Sequence, residues 1–250
     1  MRLVPGHWVF AAWSLGAEIM PRMLRLRNCM VQGRQKARDN TTWMDSQFMT
    51  LDELCIKHGA DKGTPHHGYA PIYDKLFAPM RDDPIYLLEI GVQFGASIKT
   101  WLDYFPRASI AGVDVANDFR CDDARYVFTQ ADQGNAQFWA AFNPFLKPWD
   151  IVIDDGPHTL GHQIVSFDAL WPKVAQGGLY IIEDLWTWPD PLWEQEHASA
   201  AFQRDLIWGL HRNGMAYYGR PTGLTEKFKP RAEGIEWIQH HPGLMILKKR

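Results

Sequence analysis

The chain has 250 residues, enough for one α/β domain with a full hydrophobic core and a lid. It carries 12 tryptophans, an excess in an otherwise ordinary globular composition, and a formal charge of −3 with its basic residues scattered. Nucleic-acid binding would need a basic stripe that displaces counterions, and the sequence shows none. Cys29, Cys55 and Cys121 are odd in number and lack ligand-like spacing, which fits a reducing, cytoplasmic compartment.

The segment from His7 to Met20 is apolar, but it is short and interrupted by Glu18, so no stable membrane insertion is expected. Only Arg2 precedes it as a charged start, and no small-residue cleavage site follows. Arg22, Arg25, Arg27, Arg34, Lys36 and Arg38 come next with few acids between them. Residues 1–48 are therefore expected to be a non-catalytic extension or an upstream start read as protein, with Met44 or Met49 as alternative starts. Residues 49–250 are expected to form the domain.

Regular patterning begins at Leu51. Buried-strand runs occur at Tyr86–Ile90, Ser109–Asp114, Tyr126–Gln130, Asp150–Asp154 and Gly178–Glu183. Helices are predicted over Ala96–Tyr104, Gln163–Val174 and His197–His211. Strands alternating with helices at this spacing specify a parallel sheet covered on both faces. Ile235–Ile238 and Leu244–Leu247 flank His-His-Pro-Gly and read as a hairpin. The predicted architecture is a doubly wound, Rossmann-like, mostly parallel seven-stranded sheet ending in an antiparallel C-terminal hairpin, the layout of class I methyltransferases.

Glu89-Ile-Gly91-Val-Gln-Phe-Gly95 joins a strand to a helix, and such glycines let the backbone approach a ligand closely. Asp114 ends the next strand, where an acid accepts hydrogen bonds from both hydroxyls of a ribose. The spacing is G-x-x-x-G rather than the dinucleotide fingerprint G-x-G-x-x-G. Glu89 would repel a pyrophosphate and suits the ammonium and sulfonium charges of S-adenosylmethionine. Asp132-Gln133 stands where a partner for an adenine edge is expected. A dinucleotide-dependent oxidoreductase and a non-catalytic adenosyl-ligand-binding protein remain the competing readings.

Two acidic pairs end neighbouring strands, Asp154-Asp155-Gly-Pro-His158 and Glu183-Asp184. Carboxylates converging in one crevice repel one another unless a cation sits among them, and all-oxygen ligation selects a hard ion such as Mg²⁺. A cation there would acidify a coordinated hydroxyl, with His158 at hand to take the proton. In the competing readings Asp155 caps the next helix and Glu183-Asp184 is solvated, or His158 and His162 form an H-x-x-x-H zinc pair. Trp186, Trp188 and Trp193 follow at once, suited equally to sugar stacking and to lid packing.

From about Leu51 to Trp188 the chain resembles the metal-dependent macrolide-sugar O-methyltransferases of antibiotic biosynthesis and their cephalosporin-hydroxylase-like relatives. The motifs carrying the resemblance are Lys57-His-Gly-Ala-Asp61-Lys-Gly-Thr64, Tyr69 with Tyr73, Leu88-Glu-Ile-Gly91, Asp132-Gln133, Ile153-Asp-Asp-Gly-Pro-His158 and Ile182-Glu-Asp184. The resemblance implies Mg²⁺ on Asp155, Glu183 and Asp184, with His158 as the base. The cofactor cleft is expected to comprise Thr64, Tyr69, Glu89, Gly91, Gly95, Asp114, Asp132, Gln133 and Asp154, with Tyr69 closing over the methionine end of the cofactor. Pro157 replaces a small polar residue of the family pattern. The acceptor is expected to be a hydroxyl of a sugar or glycosylated small molecule, by analogy only. Homo-oligomerisation stays open.

Overall fold

The computed structural model describes residues 49–116, 119–187, 201–207 and 233–250. The extension at 1–48, Trp188, Trp193 and both flanks of the helix expected at His197–His211 lie outside the described residues, while 201–207 is helical.

Thr50 and Glu53 start the first helix, α1 (Leu51–His58), by a reciprocal capping box, and Gly59 ends it in the left-handed conformation. A tight turn leads into α2 (Ala70–Phe77), with Pro71 in its first turn, where a missing N–H costs nothing. Then β1 (Tyr86–Ile90) and α3 (Ala96–Tyr104) precede β2 (Ser109–Asp114) and β3 (Tyr126–Gln130). The second half runs α4 (Ala136–Ala141), β4 (Trp149–Asp154), α5 (Leu160–Leu170), β5 (Val174–Ile182), β6 (Ile235–His241) and β7 (Leu244–Lys249).

The strands form one seven-stranded sheet in the order β3-β2-β1-β4-β5-β7-β6. β1 to β5 are parallel, and β7 lies antiparallel to both β5 and β6. The predicted fold class and C-terminal hairpin are thus observed. The chain order reverses between β1 and β4, which opens a crevice at their carboxyl ends.

Side chains alternate strictly between two cores. Leu87, Ile151, Ile153 and Ile181 pack under α1 to α3 with Leu54, Tyr73 and Trp101. Leu88, Val152, Tyr180 and Leu247 face the other way, against Trp139, Phe167, Leu170 and Phe202. The helix predicted over Gln163–Val174 begins earlier, at Leu160, and stops at Leu170. Pro172 cannot continue it, so a 3₁₀ turn, Trp171–Lys173, feeds β5 four residues before the predicted Gly178. Among the described residues no helix is long and apolar enough to cross a membrane.

α1 is tied to α3 by Asp103, whose Oδ2 accepts from Lys57 Nζ at 2.9 Å and from His58 Nε2 at 2.8 Å. Burial opposes the Asp103 charge, but His58 and Lys57 outweigh it and hold the carboxyl at about 2. A carboxyl depressed in the folded state stabilises above its unfolded pKa, near 4, and that contribution vanishes as pH falls through about 2. Asp103→Asn is therefore expected to cost roughly 1–2 kcal/mol at pH 7, less than the full shift because Lys57 is partly exposed. In urea unfolding curves the difference from wild type should shrink from pH 4 to pH 2. Equal midpoints at pH 7 would refute the tie.

Candidate active site

A cavity of about 870 Å³ opens at the carboxyl ends of the parallel strands. Its walls bring together Gly91, Gln93, Asp114, Asp132, Gln133, Asp155, His158 and Asp184.

Gly91 has φ 86°, and a Cβ there would run into the backbone carbonyl of Asp155. Gly95, at φ 75°, starts α3, and a Cβ there would meet the ring of Phe119. Both positions require glycine for conformation and for space. Asp114 ties this loop to β2: its Oδ2 accepts from Val92 N at 2.7 Å and Gln93 N at 2.9 Å, and its Oδ1 from Ala116 N at 2.9 Å. A carboxylate offers about four acceptor positions, so one remains for a ligand hydroxyl. On the neighbouring wall Asp132 accepts from Gly134 N at 2.7 Å.

The two-residue period of a strand splits the first acidic pair. Asp154 points toward α5 and is fully buried. There it accepts from Gln133 Nε2 at 2.8 Å, Ser166 Oγ at 2.7 Å and Tyr180 OH at 3.3 Å. Burial raises its carboxyl above the ordinary range, and the Ser166 and Gln133 bonds oppose that rise. Asp155 emerges on the opposite face, where Glu89 and Glu183 also stand.

Lys62, only 1% exposed, fills the space among those three acids. Its Nζ is 2.5 Å from Asp155 Oδ2, 2.9 Å from Glu183 Oε2 and 3.8 Å from Glu89 Oε1. Burial alone would lower the lysine's pKa, but Asp155, Glu183 and Glu89 outweigh it and hold the ammonium charged well above its ordinary value. Burial likewise pushes the Glu89 carboxyl up to about 7 against the pull of Lys62. Glu89 also accepts from Ser97 Oγ at 2.8 Å, and Glu183 Oε1 from Tyr73 OH at 2.7 Å.

Asp155, His158 and Asp184 each present a ligand atom within 4.8 Å of the others, the metal-type group found among the described residues. His158 and Asp184 both have positive φ, at 55° and 56°, so their side chains leave the strand direction and turn into the cavity mouth. His158 Nε2 lies 3.5 Å from Asp184 Oδ2. Asp184 Oδ1 accepts from Tyr69 OH at 3.0 Å, and the same hydroxyl lies 3.2 Å from the carbonyl of Gly243 in the β6–β7 turn. Tyr69, His67 and Trp186 form a stack beside Asp184, with His67 centred 5.3 Å from Trp186. The C-terminal hairpin therefore buttresses the site: Leu185 N donates to Gly243 O, and a Cβ on Gly243 would strike Trp186.

Six of the expected residues do not line the cavity, Gly95 among them. Thr64 lies outside the cavity lining, bonded through N and Oγ1 to Asp52 in the first turn of α1. Glu89 and Asp154 are fully buried beneath the cavity floor, Glu89 facing Lys62 and Asp154 orienting Gln133. Tyr69 is 1% exposed and supports Asp184 from behind. Glu183 accepts from Tyr73 at one oxygen and from Lys62 at the other, beside the group of Asp155, His158 and Asp184. His162 bonds to Thr159 and stands near Asp132, outside that group. The residues that spacing missed are Lys62, Tyr73, His67 and Ser166. Lys62 and Tyr73 did stand inside the family motifs, but without a role.

Strand order and cavity together define a class I methyltransferase fold. The chain is 34% identical over 212 residues to 8-demethyl-8-alpha-L-rhamnosyl tetracenomycin-C 2'-O-methyltransferase of Streptomyces olivaceus, covering 80% of this chain and 54% of that protein. It is 39% identical over 148 residues to mycinamicin VI 2''-O-methyltransferase of Micromonospora griseorubida, covering 56% and 37%. Among solved structures it is similar to the MycE methyltransferase from the mycinamycin biosynthetic pathway in complex with Mg and SAH. That match has a TM-score of 0.70 and 31% identity, and covers 82% of this chain and 55% of the other. The chain spans about half, or less, of the length of the relatives it matches. No family model matches it.

Gly91→Ala and Gly177→Ala separate strain from close approach. Both glycines have positive φ, but a Cβ at Gly177 meets nothing within 4 Å. Gly177→Ala is expected to cost about 1 kcal/mol of stability, the left-handed penalty alone. Gly91→Ala should cost roughly 3 kcal/mol or more, since the Asp155 carbonyl must also move. Thermal unfolding of the two variants measures the difference, and equal losses would show that the contact at Gly91 is unimportant.

Proposed function

We propose that the chain is an S-adenosylmethionine-dependent, Mg²⁺-assisted O-methyltransferase acting on a hydroxyl of a sugar or glycosylated small molecule. One observation carries this reading: a single cavity joins the glycine loop, Asp114 and Asp132 to Asp155, His158 and Asp184. The first group suits an adenosyl ligand, and the second suits proton removal beside a cation. A relative solved with Mg, SAH and mycinamycin VI supports the same cofactors and a glycosylated acceptor.

The donor set fits a hard ion. Two carboxylates at the cavity mouth, with room for water and an acceptor oxygen, are what Mg²⁺ uses, so Asp155 and Asp184 would hold it. Glu183 accepts one bond at each oxygen, from Lys62 and Tyr73, and would join as a third ligand through a remaining lone pair. When bound, S-adenosylmethionine supplies the methyl group and Mg²⁺ acidifies the acceptor hydroxyl. Asp114 would accept from a ribose hydroxyl, and Asp132 with Gln133 would meet the adenine. His158 takes the acceptor's proton, held by its backbone conformation over Asp184. Tyr69 keeps Asp184 from swinging toward bulk water. A cytoplasmic location belongs to the same proposal, supported by an odd number of cysteines without ligand-like spacing.

Calorimetry should show S-adenosylmethionine binding, and tight NAD binding in its place would end this reading in favour of an oxidoreductase. With an acceptor in hand, His158→Ala should retain Mg²⁺ and cofactor but lose turnover by roughly 10²–10⁴-fold, the worth of a positioned base. Asp155→Ala should lose Mg²⁺ binding as well. Near-normal turnover of His158→Ala, or full activity after exhaustive chelation, would refute the assignment.

A further inference from the structure

Lys62 reaches the carboxyl ends of three strands at once. Glu89 belongs to β1, Asp155 directly follows β4, and Glu183 directly follows β5. The period of two places all three carboxylates on the α1–α3 face of the sheet, where each would repel the others. The ammonium has three donors and, at 1% exposure, almost no contact with water. Two donors meet Asp155 and Glu183 at bonding distance, and the third side of the group faces Glu89 at 3.8 Å.

The loop that delivers the lysine is built for that reach. Gly68 N bonds to Gly63 O, His67 N to Asp61 O and Ala70 N to Lys62 O, so the turn is closed on itself around Lys62. Nothing in this arrangement depends on a metal. Lys62 takes Oδ2 of Asp155, and the same carboxylate also belongs to the metal-type group with His158 and Asp184.

We propose that Lys62 is the resident counter-ion of the candidate metal centre: it holds Asp155 and Glu183 in place before any divalent ion arrives, and so positions Asp155 toward the cavity. Lys62 is a positioning residue. Only the identity of the metal-type group as a metal centre rests on the function proposed above, because the acid cluster needs its ammonium in either case. A buried acid cluster stripped of its one cation is strongly destabilised, whereas lost stem packing alone is mild when a residue of similar shape replaces it.

Lys62→Met keeps the stem and removes the charge. Melting in EDTA should show Lys62→Met about 10 °C below wild type. Mg²⁺ should recover much of that loss and move wild type by distinctly less, because the ion then supplies the missing counter-charge. Lys62→Met combined with Glu183→Gln removes one positive and one negative charge together, and it should regain most of the stability in EDTA.

A Lys62→Met protein as stable as wild type in EDTA would overturn the proposal. So would a double variant no more stable than the single one, since the defect would then be packing. If Lys62→Met does not fold, a folded double variant supports the counter-ion role and an unfolded one refutes it. Absence of any Mg²⁺ effect on either protein would sink the metal reading above, and the comparison in EDTA would still decide Lys62.

Discussion

The site depends on a charge balance struck at its floor. Three carboxylates arrive on one face of the sheet because strand geometry leaves them no other direction, and at that spacing their repulsion in a dry interior is severe. The Lys62 ammonium answers it from a loop that precedes all three strands in the chain. Tyr73 completes the set by donating to the oxygen of Glu183 that Lys62 does not use. Each element therefore depends on the others: without the acids a buried lysine would be costly, and without the lysine the strand ends would splay.

Above that floor the cavity is assembled from loops in strained or tightly packed conformations. Gly91 passes so close to Asp155 that the glycine loop and the metal-type group share one wall. His158 and Asp184 adopt left-handed backbone, an uncommon state for either residue and one that clusters at functional sites. The β6–β7 hairpin contributes no residue to the cavity wall, yet its Gly243 carbonyl fixes Leu185 and Tyr69, and through Tyr69 it fixes Asp184. An antiparallel appendix on a parallel sheet thus reaches the chemistry through a single turn. The stack of His67, Tyr69 and Trp186 places an aromatic surface beside the same carboxylate, with Trp186 about half exposed.

On the far side of the sheet a second polar network mirrors the first without a charge partner. Asp154 is satisfied by hydroxyls and an amide, and it holds Gln133 at the cavity wall. Two adjacent aspartates thus serve opposite faces: one orients Gln133 at the cavity wall and the other joins the candidate metal group.

The sequence by itself determined the sheet, its parallel half, the terminal hairpin and the location of the glycine loop, because hydrophobic periodicity and turn residues are local signals. It also located both acidic pairs at strand ends, since a motif places its residues wherever its strand stops. What it left open was which way each acid points. Asp154 and Asp155 are neighbours in sequence, and only the packing of α5 against one face and α1 to α3 against the other decided which is buried and which lines the cavity. The need for a cation among the carboxylates was legible from their convergence. That Lys62 supplies the inner charge was not, because it lies 93 residues before Asp155 and 121 before Glu183, and no local pattern relates positions so far apart. Thr64 stood in the same motif and turned away to Asp52, so proximity in sequence was no guide either. Tertiary folding decided these roles, since charge compensation in a low-dielectric interior selects partners by distance in space.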